Sequence, residues 1–216
     1  MSDVIVKVDD LVKNFGNLVA VNHVSFDVNR GEIFGFLGPN GAGKTTTINM
    51  LCTLLKPTAG TAVVNKFDII TQRNEVRESI GLVFQDPSLD DRLTARENLE
   101  FHAVVYHVPR SVREERIKEV LDMVSLWDRA EDRVETYSGG MKRRLEIARG
   151  LLHYPKVLFL DEPTIGLDPQ TRNYIWEYIE GLKKREGITI FLTTHYMEEA
   201  EHCDRIAVID LGEIIA

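Results

Sequence analysis

The chain has 216 residues, enough for one large domain or two small ones that bury about 70% of the unfolded surface. Its formal net charge of −8 argues against a general nucleic-acid binder, because no basic excess collects phosphates nonspecifically. No apolar run approaches the ~20 residues of a membrane helix, and the N-terminus lacks the basic and apolar regions of a signal peptide. Cys52 and Cys203 lack CxxC spacing, so we expect a reduced, cytoplasmic protein without a zinc site.

Residues 1–37 have the composition of β-strands. Three runs, VIVKVDDLV, LVAVNHVSFDV and EIFGFL, are separated by turn residues at 14–17 and 29–31. The third run, residues 32–37, ends directly before a glycine-rich segment. A strand followed by such a segment is the context in which a phosphate loop occurs.

The glycine-rich segment matches the phosphate-loop pattern, which is a glycine, any four residues and then Gly-Lys-Ser/Thr. The matching residues are Gly38, Pro39, Asn40, Gly41, Ala42, Gly43, Lys44 and Thr45. Apolar residues spaced three and four apart predict a helix at 45–55, whose positive end would face phosphate oxygens together with the loop N–H groups. We expect Lys44 to reach the β and γ phosphates and the Thr45 hydroxyl to ligate Mg²⁺. A phosphate loop alone leaves kinases, GTPases, helicases and transporters open.

A helical block follows the phosphate-loop region. Apolar residues at 80–84 predict a strand that ends before Gln85, and helical periodicity then continues from 86 to 155. Within this block, Thr94 and Glu97 form the capping box of one helix. The block is therefore inserted between two halves of an α/β chain.

A second glycine turn lies at Ser138, Gly139 and Gly140. Ser138 suits the N-cap of a helix, and the glycines leave N–H groups accessible at its positive end, so the turn is a second candidate anion site. We expect the helix to turn four apolar residues inward: Leu145, Ala148, Leu151 and Leu152. We expect three basic residues at its start to form mainly a solvated edge: Lys142, Arg143 and Arg144. Whether this edge also faces a partner is left open.

Two carboxylates follow an apolar run at 157–160. The run is bounded by Pro155 and Pro163 and suits a strand buried on both faces of a parallel sheet. Asp161 and Glu162 would then emerge at the carboxyl edge, where α/β sheets bind ligands. There the first carboxylate can hold a metal and the second can take a proton from water. Without the phosphate loop, the same pair would suit a surface turn.

Strands and helices alternate over the rest of the chain, at 169–185, 188–193, 196–203 and 205–209. Asp168 precedes Pro169 and suits an N-cap. His195 follows a strand and should reach the same sheet edge as the two acids. Gly212 marks a closing hairpin turn.

The chain resembles an ABC-type ATPase, the nucleotide-binding subunit of ABC transporters, because it carries that family's motifs in order: the phosphate loop, Gln85, Ser138-Gly139-Gly140, Asp161-Glu162, Asp168 and His195. The resemblance covers essentially the whole chain, and the serine-glycine-glycine turn is its most specific part. It implies an α/β fold with a RecA-like P-loop NTPase core, whose sheet is mostly parallel. The core carries an N-terminal antiparallel β subdomain and an inserted α-helical subdomain. It implies one ATPase domain over 1–216, with the core at 1–85 and 156–216 and the helical signature subdomain at 86–155. A C-terminal extension beyond Ala216 is left open.

The resemblance also assigns site residues, with ATP and Mg²⁺ as cofactors. Contacts to this chain's own ATP are implied for Phe15, which would stack on adenine, and for Gly38, Pro39, Asn40, Gly41, Ala42, Gly43, Lys44, Thr45 and Thr46. Contacts to a partner's ATP are implied for Ser138, Gly139, Gly140 and Asp168. Mg²⁺ contacts are implied for Thr45, Gln85 and Asp161. Catalytic roles are implied for Lys44, Gln85, Glu162 and His195, with Glu162 as general base. Without the resemblance, Phe15 suits edge packing, Gln85 has no assigned role and His195 suits a helix start.

Two protein partners are implied by the resemblance. A second ATPase subunit, most simply another copy, would pair head to tail on ATP binding, and an integral-membrane permease would be contacted near Gln85. This places the protein at the cytoplasmic face of a membrane, with no nucleic-acid partner expected. The segments SGGMKRRLEIARGL and TTHYMEEAEHCDRIAVIDLGEI are most similar to ATPases of daunorubicin-type drug exporters, so we expect an exporter.

Three positions depart from the family pattern: Tyr137, Met141 and Ile165. We still expect hydrolysis, because Glu162 and the serine-glycine-glycine turn are present. One alternative is a non-transport ABC ATPase that acts as a mechanical module in DNA repair, chromosome structure or translation. Such proteins typically carry coiled-coil arms, zinc-cysteine insertions or two cassettes, which this sequence lacks. Another alternative is a module that binds ATP without hydrolysis, and Glu162 and His195 argue against it.

Overall fold

Two β-sheets and a block of helices make up the computed structural model, which describes residues 3–86 and 88–216. The first sheet is antiparallel and has the strand order β2-β1-β4-β5. Its strands are β1 (Val4–Phe15), β2 (Leu18–Asn29), β4 (Ala59–Val64) and β5 (Phe67–Asp68). It forms the expected N-terminal antiparallel subdomain.

The second sheet is mostly parallel, with the order β10-β9-β3-β8-β7-β6. Its strands are β3 (Ile33–Leu37), β6 (Ile80–Val83), β7 (Val157–Asp161), β8 (Thr189–Thr194), β9 (Arg205–Asp210) and β10 (Glu213–Ile214). Only the β9–β10 hairpin within this sheet is antiparallel. Because parallel strands point the same way, the residues that follow β3, β7 and β8 meet at one edge.

Six α-helices surround the sheets in the described part of the chain: α1 (Lys44–Leu51), α2 (Arg73–Ser79), α3 (Ala95–Val105), α4 (Arg110–Met123), α5 (Gly139–Leu151) and α6 (Pro169–Glu186). Short 3₁₀ helices lie at Trp127–Arg129, Val134–Thr136 and Met197–His202. Helices α3 to α5 form the inserted helical block, so the predicted fold class is confirmed. Within the described residues, no helix combines the length and the apolar character needed to cross a membrane.

The central strands are buried on both faces. In β7, Val157 and Phe159 pack with the antiparallel sheet and α1, whereas Leu158 and Leu160 pack with the helical block and α6. The first of these layers contains a cluster of aromatic rings whose centroids lie 5.4–5.9 Å apart: Phe26, Phe34, Phe36, Phe159 and Phe191. Double burial explains why these strands have continuous apolar sequences, and it holds their carboxyl ends in fixed positions.

Some predicted boundaries are wrong. The helix predicted at 45–55 ends at Leu51, because Thr53 has a positive φ of 61° and the N–H groups of Leu54 and Leu55 bond back to Asn49. The helix predicted at 196–203 is the shorter 3₁₀ turn Met197–His202. The turn predicted at 14–17 is confined to residues 16–17, because β1 continues to Phe15 and β2 begins at Leu18.

Candidate functional site

The phosphate loop, residues 38–45, runs from the end of β3 into the first turn of α1. Its glycines are required by close contacts, since a Cβ at Gly38 would clash with the carbonyl of Ile209 and a Cβ at Gly43 would clash with that of Ala20. Gly43 also has a φ of 105°, which only glycine adopts readily. Within the part of the chain that the structure describes, no side chain caps the start of α1, so its first N–H groups remain available to an anion.

The Lys44 side chain lies over this loop. It is 4% exposed, and its ammonium donates to Gly38 O at 2.7 Å and to Pro39 O at 3.0 Å. The same nitrogen lies 3.2 Å from a carboxylate oxygen of Glu162. The loop therefore brings a buried positive charge next to the second of the two acids.

The two acids lie at the end of β7, as the sequence predicts. Asp161 accepts hydrogen bonds from the Thr45 hydroxyl at 3.3 Å and from the Thr193 hydroxyl at 2.5 Å. Thr193 also accepts the Glu162 N–H at 3.0 Å. Glu162 has a φ of 47°, a strained left-handed conformation for a non-glycine residue, and this backbone is held by the Thr193 bond.

Thr193 is a site residue that the sequence analysis missed. Its hydroxyl joins the two acids of β7, but a threonine inside a strand is common and gives no pattern of its own. Only the parallel pairing of β7 with β8, which sets Asp161 beside Thr193, reveals this contact.

The donor set at Thr45 and Asp161 fits Mg²⁺. A hydroxyl and a carboxylate are hard oxygen ligands, and their oxygens lie 3.3 Å apart. The described residues contain no group of three His, Cys, Asp or Glu side chains arranged for a metal. A phosphate-loop magnesium site needs no such group, because phosphate oxygens and water complete its coordination.

His195 contacts the far side of Glu162. Its Nδ1 lies 3.2 Å from the second carboxylate oxygen of Glu162, without the alignment of a hydrogen bond. Both atoms are buried and have no hydrogen-bond partner among the described residues. We define Lys44, Glu162 and His195 as the charged cluster, in which the carboxylate is 6% exposed and lies between the two basic groups.

The cleft above the phosphate loop contains most of the residues predicted to bind this chain's ATP, whereas Gly38, Pro39 and Ala42 belong to the loop but do not line the cleft. It is lined by Phe15, Asn40, Gly41, Gly43, Lys44, Thr45, Thr46, Gln85 and Glu162. The Phe15 ring is 49% exposed, and the Lys13 ammonium lies 5.0 Å from its centroid. Phe15 therefore has a free apolar surface at the cleft, and Gln85 lies close to the acids.

The second glycine turn, residues 138–140, lies outside that cleft. Ser138 caps α5 by accepting the Met141 N–H at 3.3 Å, and both Ser138 and Gly139 are exposed. A Cβ at Gly140 would lie 2.5 Å from the Thr171 methyl, so helix α6 packs closely behind the turn. The turn thus offers N–H groups to an external anion.

Asp168 is the N-cap of α6, as its sequence context predicts. Its carboxylate accepts the Thr171 N–H at 3.0 Å and the Thr171 hydroxyl at 2.5 Å. These hydrogen bonds, with that of the hydroxyl the largest, lower the pKa of Asp168. Asp168 therefore stays ionised beside the second turn at neutral pH.

The expectation of a solvated basic edge at the start of α5 is wrong for Arg143. This residue is 7% exposed, whereas Lys142 pairs with Asp91 at 2.8 Å and Arg144 donates to Val124 O at 2.7 Å. Helix α5 is buried along nearly its whole length, so a side chain near its start also points into the protein. Arg143 belongs to the interior of the molecule.

Two departures from the expected sequence pattern fit the local packing. Tyr137 is buried, and its hydroxyl donates to Arg129 O at 2.6 Å. Met141 is partly buried against the helical block. Both side chains therefore pack against the same hydrophobic cluster next to the second turn.

Comparison with known proteins adds family relationships. The family described as ABC transporter matches residues 21–165. Over 209 residues the chain is 44% identical to the linearmycin resistance ATP-binding protein LnrL of Bacillus subtilis, covering 96% of this chain and 67% of that protein. Over 217 residues it is 45% identical to the doxorubicin resistance ATP-binding protein DrrA of Mycobacterium tuberculosis, covering 99% of this chain and 65% of that protein. The chain thus spans about two thirds of the length of these relatives.

Solved structures share the fold along nearly the whole chain. CbiO1 from Clostridium perfringens, described as part of the ABC transporter complex CbiONQ, has a TM-score of 0.92 at 32% identity, covering 99% of this chain and 88% of that one. The ATP-binding cassette MJ0796, in a dimeric post-hydrolysis structure with ADP and Pi, has a TM-score of 0.86 at 30% identity, covering 98% and 97%.

Proposed function

Because this chain belongs to the ABC transporter family, we propose that it binds and hydrolyses ATP to drive a separate membrane permease. The observation that carries this proposal is the charged cluster, which sets a carboxylate between the phosphate-loop lysine and a histidine, with distances of 3.2 Å to each. A module that only binds nucleotide would need Lys44 but not the other two groups.

The proposed binding of ATP uses the cleft residues in separate roles. The backbone of residues 38–46 holds the phosphates, Lys44 neutralises their charge, and Phe15 stacks on the adenine. Thr45, Gln85 and Asp161 would hold Mg²⁺, which would supply electrostatic stabilisation of the β and γ phosphates. Lys44 pairs with one oxygen of Glu162 in the structure. When ATP binds, Lys44 pairs with phosphate oxygens instead, so that Glu162 oxygen becomes available to a water molecule.

The proposed chemistry then depends on Glu162 and His195. Glu162 accepts a proton from the attacking water through its carboxylate, and Gln85 helps to hold that water. His195, on the other side of Glu162, contacts the γ-phosphate and positions the water. The strained backbone of Glu162 and its N–H bond to Thr193 keep the carboxylate in place during this step.

Replacement of the general base tests hydrolysis. We expect Glu162→Gln to lower ATP turnover by the purified chain by about 100-fold or more, while the chain still binds MgATP, because the phosphate loop is unchanged. Glu199→Gln is the matched control, since Glu199 is also buried but bonds the Thr164 hydroxyl outside the charged cluster. Hydrolysis near the original rate in Glu162→Gln would show that the base is a different group.

The proposed dimer is head to tail. Ser138, Gly140 and Asp168 do not line the described cleft of their own phosphate loop, yet Ser138 and Gly139 present an exposed helix start. This arrangement supports the proposal that the second turn contacts the ATP bound by a second subunit. The MJ0796 cassette, at 30% identity, is described as dimeric with ADP and Pi, which is consistent with such pairing.

The proposed permease contact is an apolar groove next to Gln85. The groove is lined by Leu54, Leu82, Phe84 and Tyr106, and the large side chains of Leu54 and Phe84 are exposed. An apolar segment of a membrane partner would cover these side chains and press on the segment that holds Gln85. We propose that this contact lies at the cytoplasmic face of the membrane and that transport is outward, which the names of the two drug-resistance relatives favour.

Co-purification tests the permease contact. We expect the chain, isolated from detergent-solubilised membranes, to bring down a multi-span membrane protein and Leu54→Asp to lose it, because a carboxylate is costly to bury in an apolar contact. Leu211→Asp is the control, since Leu211 is 84% exposed in the β9–β10 turn. Recovery of only ribosomal or other non-membrane partners would contradict the transport proposal.

A further inference from the structure

Arg143 binds the backbone on both sides of Glu162. Its Nε donates to Pro163 O at 2.8 Å, and a terminal nitrogen donates to Asp161 O at 3.0 Å. The two residues that flank the base in the chain are therefore attached to one side chain of α5. Any shift of Arg143 relative to β7 changes these bonds and, with them, the position of the Glu162 carboxylate.

Helix α5 also holds the segment around Gln85 from both sides. Arg143 donates to Phe84 O at 2.6 Å, directly before Gln85. Glu146, less than one turn further along α5, accepts the Ser88 N–H at 2.7 Å and lies 3.3 Å from Arg143. The guanidinium thus joins the two catalytic segments to each other as well as to the helix.

Burial makes this network rigid. Arg143 and Glu146 are 7% and 1% exposed. Burial lowers the pKa of Arg143, and the Glu146 carboxylate acts in the opposite direction. A buried charge that loses its partners is strongly disfavoured, so the helix and the catalytic segments are expected to move together. The planar guanidinium matches three separate carbonyls, which a lysine ammonium cannot do in the same directions.

We propose that Arg143 is a positioning residue that couples the second glycine turn to this chain's own Glu162 and Gln85. Residues 138–140 begin the same helix, so a displacement of α5 when the turn meets a partner's nucleotide passes through Arg143 to the base. The two ATP sites of a dimer are linked through this side chain. The proposal rests on the proposed function, because it takes the roles of the turn and of Glu162 from there.

Steady-state hydrolysis of MgATP by the purified chain tests the coupling. We expect Arg143→Met to lower kcat by about tenfold or more while KM changes by less than about twofold, because the phosphate loop keeps its residues. Arg143→Lys keeps the charge without the three-way geometry, so it should lower kcat by a similar factor. The Hill coefficient for ATP should fall towards one in both variants, since each site no longer responds to the other.

Arg116→Met is the matched control for stability. Arg116 is also buried and also binds α5, but it donates to Leu151 O and Leu152 O at the opposite end of the helix. We expect this variant to lower the Tm about as much as Arg143→Met while kcat and the Hill coefficient stay near wild type.

Three outcomes would overturn the coupling: a wild-type kcat in Arg143→Met, full recovery of kcat in Arg143→Lys, or equal loss of kcat in Arg116→Met. These outcomes are distinct from a failure of the proposed function. That failure would appear as wild-type turnover that is absent or does not depend on Glu162. Turnover that depends on Glu162 but not on Arg143 would reject the coupling alone.

Discussion

The starts of α1 and α5 are both glycine turns at the positive end of a helix, but they are built differently. At α1, the buried Lys44 pairs with the buried Glu162, Thr45 bonds the buried Asp161, and no side chain among the described residues caps the helix. At α5, Ser138 and Gly139 are exposed, and the nearby Arg143 points into the protein. Similar motifs therefore produce one helix start with buried charges and one helix start that is exposed.

The difference follows from what packs behind each turn. A helix start carries only about half a positive charge, and in water its attraction for an anion is screened within about one Debye length. Burial strengthens the same attraction, because the effective dielectric constant falls. The start of α1 has its own buried charges, whereas the start of α5 needs a second surface to exclude water. That requirement is the physical reason to expect pairing of two chains.

Mixed dimers test the difference between the two helix starts, and we expect them to show the largest effect. In the head-to-tail arrangement, Ser138→Arg disables the partner's site and Glu162→Gln disables the chain's own site. With the two substitutions on opposite subunits, both fall on one site, and we expect the turnover of a dimer with a single disabled site, which is at most about half of the wild-type turnover. With both on the same subunit, each site loses one group, and turnover should fall to about 1%.

The measurement is ATP turnover of affinity-tagged mixed dimers. A dimer of one wild-type subunit and one Glu162→Gln subunit provides the control for a single disabled site. The reverse order, with activity retained only when the substitutions share a subunit, would mean that residues 138–140 serve their own chain's nucleotide.

Local sequence patterns predict the geometry around the start of α1 well. The capping box at Thr94 and Glu97 is present in the structure, and β7 is buried on both faces as its apolar run requires. The phosphate loop and the two acids reach the same sheet edge, because each follows the end of a parallel strand. The sequence shows both strand ends, so this position could be predicted. These features depend on residues that are adjacent in the chain or on the common direction of parallel strands.

The orientation of Arg143 could not be predicted in the same way. Three consecutive basic residues on a helix point in three directions, about 100° apart, and a helix buried on most sides gives no clear polar face. Strands β4 and β5 were missed for a related reason. They are short, and β4 contains Gly60. Strand β4 depends on pairing with β1, about fifty residues earlier in the chain, and β5 depends on pairing with β4.

Alanine substitutions at Gly139 and Gly140 test how closely the second turn is packed, and we expect a smaller effect from them. A Cβ at Gly140 would lie 2.5 Å from the Thr171 methyl, whereas a Cβ at Gly139 would meet its nearest neighbour, Leu167, at 3.8 Å. Alanine favours a helix over glycine by about 1 kcal/mol, and overpacking costs about 1–3 kcal/mol. We therefore expect Gly140→Ala to lower the Tm by about 2–4 °C and Gly139→Ala to leave it unchanged or raise it.

The measurement is thermal unfolding of three variants: Gly139→Ala, Gly140→Ala, and Gly140→Ala combined with Thr171→Ser. Serine keeps the hydroxyl that bonds Asp168 but removes the methyl, so the double variant should recover most of the lost stability. Equal Tm values for Gly139→Ala and Gly140→Ala would mean that α6 does not press on the turn. Recovery would instead mean that Asp168, Thr171 and Gly140 form one packed unit, so that the exposed half-site has a rigid base even though its anion-binding surface is open.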